Sequence, residues 1–473
     1  MDQLITNGPR WLLLAALVYA PWAYGATRDW AIAGLDWLLG AAVVLWLLGC
    51  LLRQAWPSVP PALSVTAGAL MAQAWFMALN AKNDYDTLAS EFIPRTARID
   101  WAPGSMHREL SLQSATHLSL MLAAILLTGD LARKVIWRKR LLWTMCATGV
   151  SVVLLGLTQK LTHATAVFWG PEHMGETFFA TWRYHANAGA FMNLVWPLLA
   201  GGTALAFLRD EARWKKILPT AGLVICLVGL AVNTSRASGA LALLLGGLWI
   251  GWMLREYFRG KFSVINPATA AVTGVILVAL IVSVSALVGV DTTLKRWGQL
   301  DQQLTENNAR LVAAKVCLEM IPEAGWWGFG PGTFQTTFPY FTQRVADQLG
   351  GRWVFAHQDY LQTLTEWGYL GSAGWAVLVL GAIGSSLLRA RRYRDELSEA
   401  ARVGHFGMLV ALLGVLLHAL VDFPLQIASI QLYVAVLLGL LWSGEHWLGG
   451  EERALRPRER RGHTPGRAVA QSF

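Results

Sequence analysis

Apolar runs of 15 to 25 residues alternate along this chain with short polar or basic clusters. A helix needs about 20 apolar residues to cross the hydrocarbon core of a bilayer. The runs predict about twelve such spans, near 11–26, 31–52, 60–80, 111–130, 141–161, 186–207, 217–232, 238–256, 264–290, 367–388, 404–421 and 427–447. The expected fold class is an all-α polytopic membrane protein, with about twelve transmembrane helices and one large helical loop on the outer side. Residues 1–290 would form a membrane bundle of about nine spans, 291–366 the large loop, 367–447 the last three spans, and 448–473 a basic, disordered cytoplasmic tail. The first run lacks a strong basic n-region and a clean small-x-small site, so it reads as a span rather than a cleaved signal peptide.

Composition narrows the class further. Of 473 residues, 55% are hydrophobic and 15% charged, and the mean hydropathy is +0.41. A water-facing surface cannot be built from that mixture, which excludes a soluble enzyme, a disordered chain and a disulfide scaffold. The 24 Trp fit anchoring at the two membrane interfaces. The net charge of +9 does not indicate nucleic acid. Its carriers are confined to inter-span clusters such as Arg133, Lys134, Arg138, Lys139 and Arg140, or Arg389, Arg391, Arg392 and Arg394. With the N-terminus inside, 25 Lys and Arg fall on the cytoplasmic side and 14 outside, six of them in the long loop. Long loops cross regardless of charge, so the remaining bias sets the orientation with both termini cytoplasmic.

Three outer segments, near 81–110, 162–185 and 291–366, are large enough to carry chemistry. In the last, Leu311, Ala314, Leu318 and Ile321 recur at helical spacing before Pro322, predicting an amphipathic helix on the bilayer or over the bundle. Cys50, Cys146 and Cys226 fall in predicted spans and only Cys317 outside, so no outer disulfide is expected within one chain.

Ionisable residues beside or inside spans are costly and point to function. Arg183 lies in Thr181-Trp182-Arg183-Tyr184-His185-Ala186-Asn187, Arg236 in the turn Asn233-Thr234-Ser235-Arg236, and Arg310 opens the loop helix. His357 lies in Ala356-His357-Gln358-Asp359-Tyr360-Leu361-Gln362, followed by Glu366, and His418 and Asp422 flank the outer end of a span. A lone arginine at a helix end also snorkels to lipid phosphate, a lone histidine is often structural, and Asp422 before Phe-Pro could cap a helix. Together, however, guanidinium forks match a pyrophosphate bidentately, and an imidazole accepts a hydroxyl proton at neutral pH. Asn83-Asp84-Tyr85-Asp86 contains a D-x-D that could hold a divalent metal, or simply form an Asx turn. Trp326-Trp327-Gly328-Phe329-Gly330-Pro331-Gly332 lacks the Lys-Ser/Thr ending of a P-loop and reads as a tight turn with aromatic anchors, open to sugar stacking.

At these residues the sequence resembles the O-antigen ligase and O-antigen polymerase superfamily of integral membrane bacterial glycan transferases. The likeness runs through Arg183 with Asn187-Ala188-Gly189, Thr234-Ser235-Arg236-Ala237, Arg310 with Pro322 and the glycine run, and His357-Gln358-Asp359-Tyr360-Leu361 with Glu366 and Gly371. Gln358 stands where the family signature has Asn. The resemblance implies transfer of a glycan from undecaprenyl pyrophosphate to a hydroxyl, inverting and without metal or cofactor, at the periplasmic face of the bacterial inner membrane. It implies His357 as the catalytic base and Arg183, Arg236 and Arg310 as pyrophosphate ligands, with Asn187, Asp359, Glu366 and Asp422 in support. The acceptor could be lipid A-core, another lipid-linked repeat unit, or protein. A transporter or flippase of lipid-linked oligosaccharide, and a non-catalytic envelope-assembly subunit, stay as alternatives.

Overall fold

The computed structural model describes residues 2–172, 174, 178–260 and 309–448, with isolated positions between 261 and 308. The predicted span 264–290 falls largely outside the described residues, as do the first part of the large loop and the tail from 449. The helices are α1 (Asp2–Trp22), α2 (Asp29–Leu52), α3 (Pro61–Leu79), α4 (Arg108–Leu131), α5 (Val135–Leu161), α6 (His185–Leu208), α7 (Arg213–Val232) and α8 (Arg236–Phe258). After the gap come α9 (Ala309–Ala324), α10 (Phe334–Phe341), α11 (Ala346–Leu349), α12 (Asp359–Arg392), α13 (Glu399–His418) and α14 (Ala428–Trp442). Among the described residues nine helices, α2 to α8, α12 and α13, are long and apolar enough to cross a membrane. α14 is apolar but shorter, at 15 residues.

The chain is a mostly helical polytopic membrane protein, with one short departure from all-α. β1 (Asn83–Asp86) and β2 (Glu91–Pro94) pair antiparallel, with Asp84 opposite Ile93 and Tyr85 opposite Phe92. Tyr85 and Phe92 pack at 5.1 Å, and Phe92 stacks on Tyr340 of α10 at 4.9 Å.

α14 is buried along nearly its whole length. A helix apolar on every side belongs inside a bundle, and α14 packs against α4 and α12 while α6 packs against α7, α8 and α13. Small residues set these approaches, as between helices in lipid generally. A Cβ on Gly189 would stand 2.0 Å from Ser238 Oγ, so only glycine lets the starts of α6 and α8 meet.

α9 forms where the spacing predicts a helix. Leu311 and Leu318 are exposed, whereas Val312, Ala313, Val316, Cys317 and Met320 are buried against Phe334, Phe338 and Leu349 in a small core of their own. Both sets satisfy helical periodicity, and the partner helices, not the pattern, choose between them. α12 is kinked at Gly368 (φ 61°, ψ −168°), a conformation open to glycine alone without strain. There Tyr369 and Leu370 N–H donate to the carbonyls of Gly325 and Trp326, tying the loop to the start of the span. All four cysteines are free.

Candidate active site

Asp422 is the hub of a cluster drawn from four distant segments. It follows α13, where the carbonyl of His418 accepts the N–H of Val421 and of Asp422 at 3.0 and 3.1 Å. Asp422 Oδ1 receives His357 Nδ1 at 3.0 Å and the Phe423 N–H at 3.1 Å. Oδ2 receives the Tyr184 hydroxyl at 2.8 Å, and Arg310 Nη2 stands 3.8 Å away. Arg310 Nη2 also donates to the Tyr184 hydroxyl at 2.7 Å. The carboxylate is 3% exposed. Burial would push its pKa up, but the hydrogen bond from His357 and the charges of Arg310, His357 and His418 hold it below the usual carboxylate range. Burial and the neighbouring Asp422 raise the Tyr184 phenol, which therefore stays protonated.

An ionised carboxylate can only accept, so His357 donates from Nδ1, and in the neutral imidazole that leaves the lone pair on Nε2. The imidazole is boxed by Trp353 at 5.3 Å, Phe423 at 4.7 Å and Tyr184 at 6.1 Å, all edge-on. Its backbone sits at φ +53°, a left-handed conformation that costs a non-glycine residue on the order of 1–3 kcal/mol. The surrounding contacts sustain that strain and aim the ring.

Tyr184 reaches the hub because the turn before α6 is pinned. Phe179 and Trp182 exchange backbone hydrogen bonds, Thr181 Oγ1 donates to the Pro21 carbonyl at 2.6 Å, and Trp182 is buried against Phe191. Tyr184 then stacks on Phe423 with the rings 5.4 Å apart and nearly parallel.

The remaining sequence-derived residues divide. Arg236 is half-buried at the first turn of α8, directly after the Ser235 cap, and Asn233 Nδ2 of that turn donates to the His185 carbonyl at 3.0 Å. It therefore opens α8 beside the start of α6, at the Tyr184 end of the bundle. Arg183 is exposed, one residue from Tyr184. Asn187 is buried in the first turn of α6. Asp359 is buried and accepts Leu425 N–H at 2.8 Å and Gln426 Nε2 at 3.1 Å, so it fixes the turn that follows Asp422.

Glu366 serves the glycine run. Its two oxygens take Gly332 N–H and Phe334 N–H, each at 3.1 Å, and Gln362 Nε2 at 3.2 Å. The run is thus a turn locked from below, with Trp326 edge-on to Tyr369 and largely exposed. Asp84 is paired with Arg95 at 3.2 Å, and Asp86 Oδ1 accepts Leu88 N–H at 2.8 Å as a turn cap. Among the described residues no three His, Cys, Asp or Glu side chains are grouped to hold a metal ion.

Tyr184 is the member of this cluster that the sequence alone did not single out, although it sits inside the quoted Arg183 motif. Nothing local distinguishes a phenol that bridges an arginine and an aspartate from an interfacial aromatic anchor.

A family described as O-antigen ligase matches residues 221–376. The match takes in Arg236, Arg310, His357, Asp359 and Glu366, and ends before Asp422. No curated protein matches the chain. The segment that carries the histidine and two of the three arginines is thus the segment by which this bacterial membrane protein is similar to the O-antigen ligases, a family of membrane glycosyltransferase-like enzymes.

Proposed function

We propose that the protein transfers a glycan from undecaprenyl pyrophosphate to a hydroxyl acceptor at the periplasmic face of the inner membrane. The carrying observation is His357 oriented by a buried, ionised Asp422, with Arg310 on the same carboxylate. The Lys and Arg bias along the sequence supports an outer position for that end of the bundle, and the described part of the 291–366 loop, α9 to α11, would cover it.

In this reading His357 Nε2 takes the proton of the acceptor hydroxyl as its oxygen attacks the anomeric carbon. The bond from that carbon to the pyrophosphate oxygen breaks on the opposite side, so the configuration inverts. The imidazolium that forms is stabilised by Asp422, which need not itself be protonated. Arg236 and Arg310, with Arg183 at the rim, would neutralise the departing pyrophosphate, and their guanidinium charge does not titrate away. Placement and charge stabilisation supply most of the rate, since the leaving group is good once its charge is held.

No residue in this scheme requires a metal ion. Purified protein given a synthetic undecaprenyl-pyrophosphate-linked oligosaccharide and a hydroxyl acceptor is expected to turn over in EDTA. Turnover abolished by EDTA and restored by Mg²⁺ would move the chemistry to Asp84 and Asp86 and refute the proposal as stated.

A further inference from the structure

Asp36 and His117 are ionisable side chains inside two candidate spans, α2 and α4. Such groups are expensive in a membrane and usually serve a purpose. His117 Nδ1 lies 2.6 Å from Asp36 Oδ1, and His117 Nε2 lies 2.8 Å from Gln431 Oε1 in the first turn of α14. Gln431 Nε2 donates to the Leu425 carbonyl at 2.7 Å. The N–H of that same Leu425 goes to Asp359 at 2.8 Å. Leu425 is thus gripped through both of its backbone polar groups, within the short turn that begins at Asp422.

Donor counting fixes where the hydrogens are. Gln431 spends an N–H on Leu425 and shows its oxygen to His117, so His117 Nε2 must carry a hydrogen. The contact between Nδ1 and Asp36 then needs one more proton, held either as imidazolium against carboxylate or as imidazole against carboxylic acid. An imidazole protonated only at Nδ1 would set the Nε2 lone pair against the Gln431 oxygen and release the amide.

We propose that Asp36, His117 and Gln431 form a clamp within the bundle that positions Asp422, and through it His357, by holding the 422–426 turn from the membrane side. The three are positioning residues, and the inference rests on the glycan transfer proposed for His357. Asp359 holds the same turn through the Leu425 N–H and the Gln426 side chain. A reacting group misplaced by about 1 Å loses on the order of 100-fold in rate, so a slack turn would show as lost transfer in a folded protein.

The test uses a gene-deleted strain of the source bacterium complemented with full-length variants, reading surface glycan per unit of membrane-inserted protein. His117→Leu, Asp36→Leu and Gln431→Glu are expected to lower output at least ~10-fold, within the range that misplacement produces. Asp36→Asn is expected to restore output to within about threefold, a cost under ~1 kcal/mol. Its amide N–H can donate to Nδ1 and keep the hydrogen on Nε2. Wild-type output from His117→Leu and Gln431→Glu, or Asp36→Asn as poor as Asp36→Leu, overturns the clamp. If a leucine variant fails to accumulate, the near-isosteric Gln431→Glu decides, since it keeps the shape and loses the donor to Leu425. His357→Ala separates the two claims. Full output from it sinks the transfer reading itself, whereas lost output from it beside intact output from His117→Leu and Gln431→Glu removes only the clamp.

Discussion

Asp422→Asn is the most informative single substitution in the hub. The aspartate accepts from His357, Tyr184 and the Phe423 backbone, with Arg310 beside it. Asparagine keeps the shape, removes the charge and replaces one accepting oxygen with a donor. It therefore meets either the His357 Nδ1–H or the Tyr184 hydroxyl with the wrong polarity. A hydrogen bond to a charged group contributes about 1.5–3 kcal/mol. Lost wholly in the transition state, that is about a 10- to 150-fold fall in kcat, with KM little changed because the group does not touch the donor. Stability gives a second readout with a definite sign. A carboxylate held below its unfolded value stabilises the fold fully above the ordinary Asp range, near pH 3.9, and loses that contribution as pH falls through the folded value. The difference in melting temperature between wild type and Asp422→Asn should therefore be largest near neutrality and shrink on acidification below about pH 4. Initial rates with a synthetic lipid-pyrophosphate donor, together with melts across that range, check both. A folded Asp422→Asn protein within twofold of wild-type kcat would refute the orienting role.

Further outcomes follow from the same geometry. Tyr184→Phe removes the hydroxyl shared by Arg310 and Asp422, and should cost about 1–2 kcal/mol of transition-state stabilisation, a roughly 5- to 30-fold loss in kcat. Glu366→Gln turns one of two backbone N–H contacts into donor against donor. It should destabilise by about 1–3 kcal/mol and speed proteolysis of the glycine run. Arg236→Lys should lose most activity, because an ammonium cannot reproduce a bidentate grip on phosphate; a near-wild-type rate would make this arginine a lipid anchor.

The membrane spans were legible in the sequence because burial in lipid imposes a length and an apolarity that local pattern records directly. α2 to α8, α12 and α13 lie where hydropathy puts them, give or take a few residues. What depends on partners was not legible. Leu311 and Leu318 were read as one face of an amphipathic helix and are exposed, while the second apolar stripe of α9 is buried against Phe334 and Phe338, a contact that local pattern does not record. The β1–β2 hairpin escaped notice because Asn83-Asp84-Tyr85-Asp86 lacks alternating hydrophobics. Asp36 and His117 stand 81 positions apart in otherwise ordinary spans, so no local motif announces their pairing. The Arg310, His357 and Asp422 motifs could be picked out singly as costly polar groups, but Tyr184 as their bridge required the fold.

The most direct measurement is the release of undecaprenyl pyrophosphate from a synthetic lipid-linked oligosaccharide by purified wild-type protein and by folded His357→Ala. The account predicts acceptor-dependent release by the wild type, with inversion at the anomeric carbon, and a loss of about 100-fold or more in the variant. Equal release by the two proteins, or retention of configuration, would contradict it.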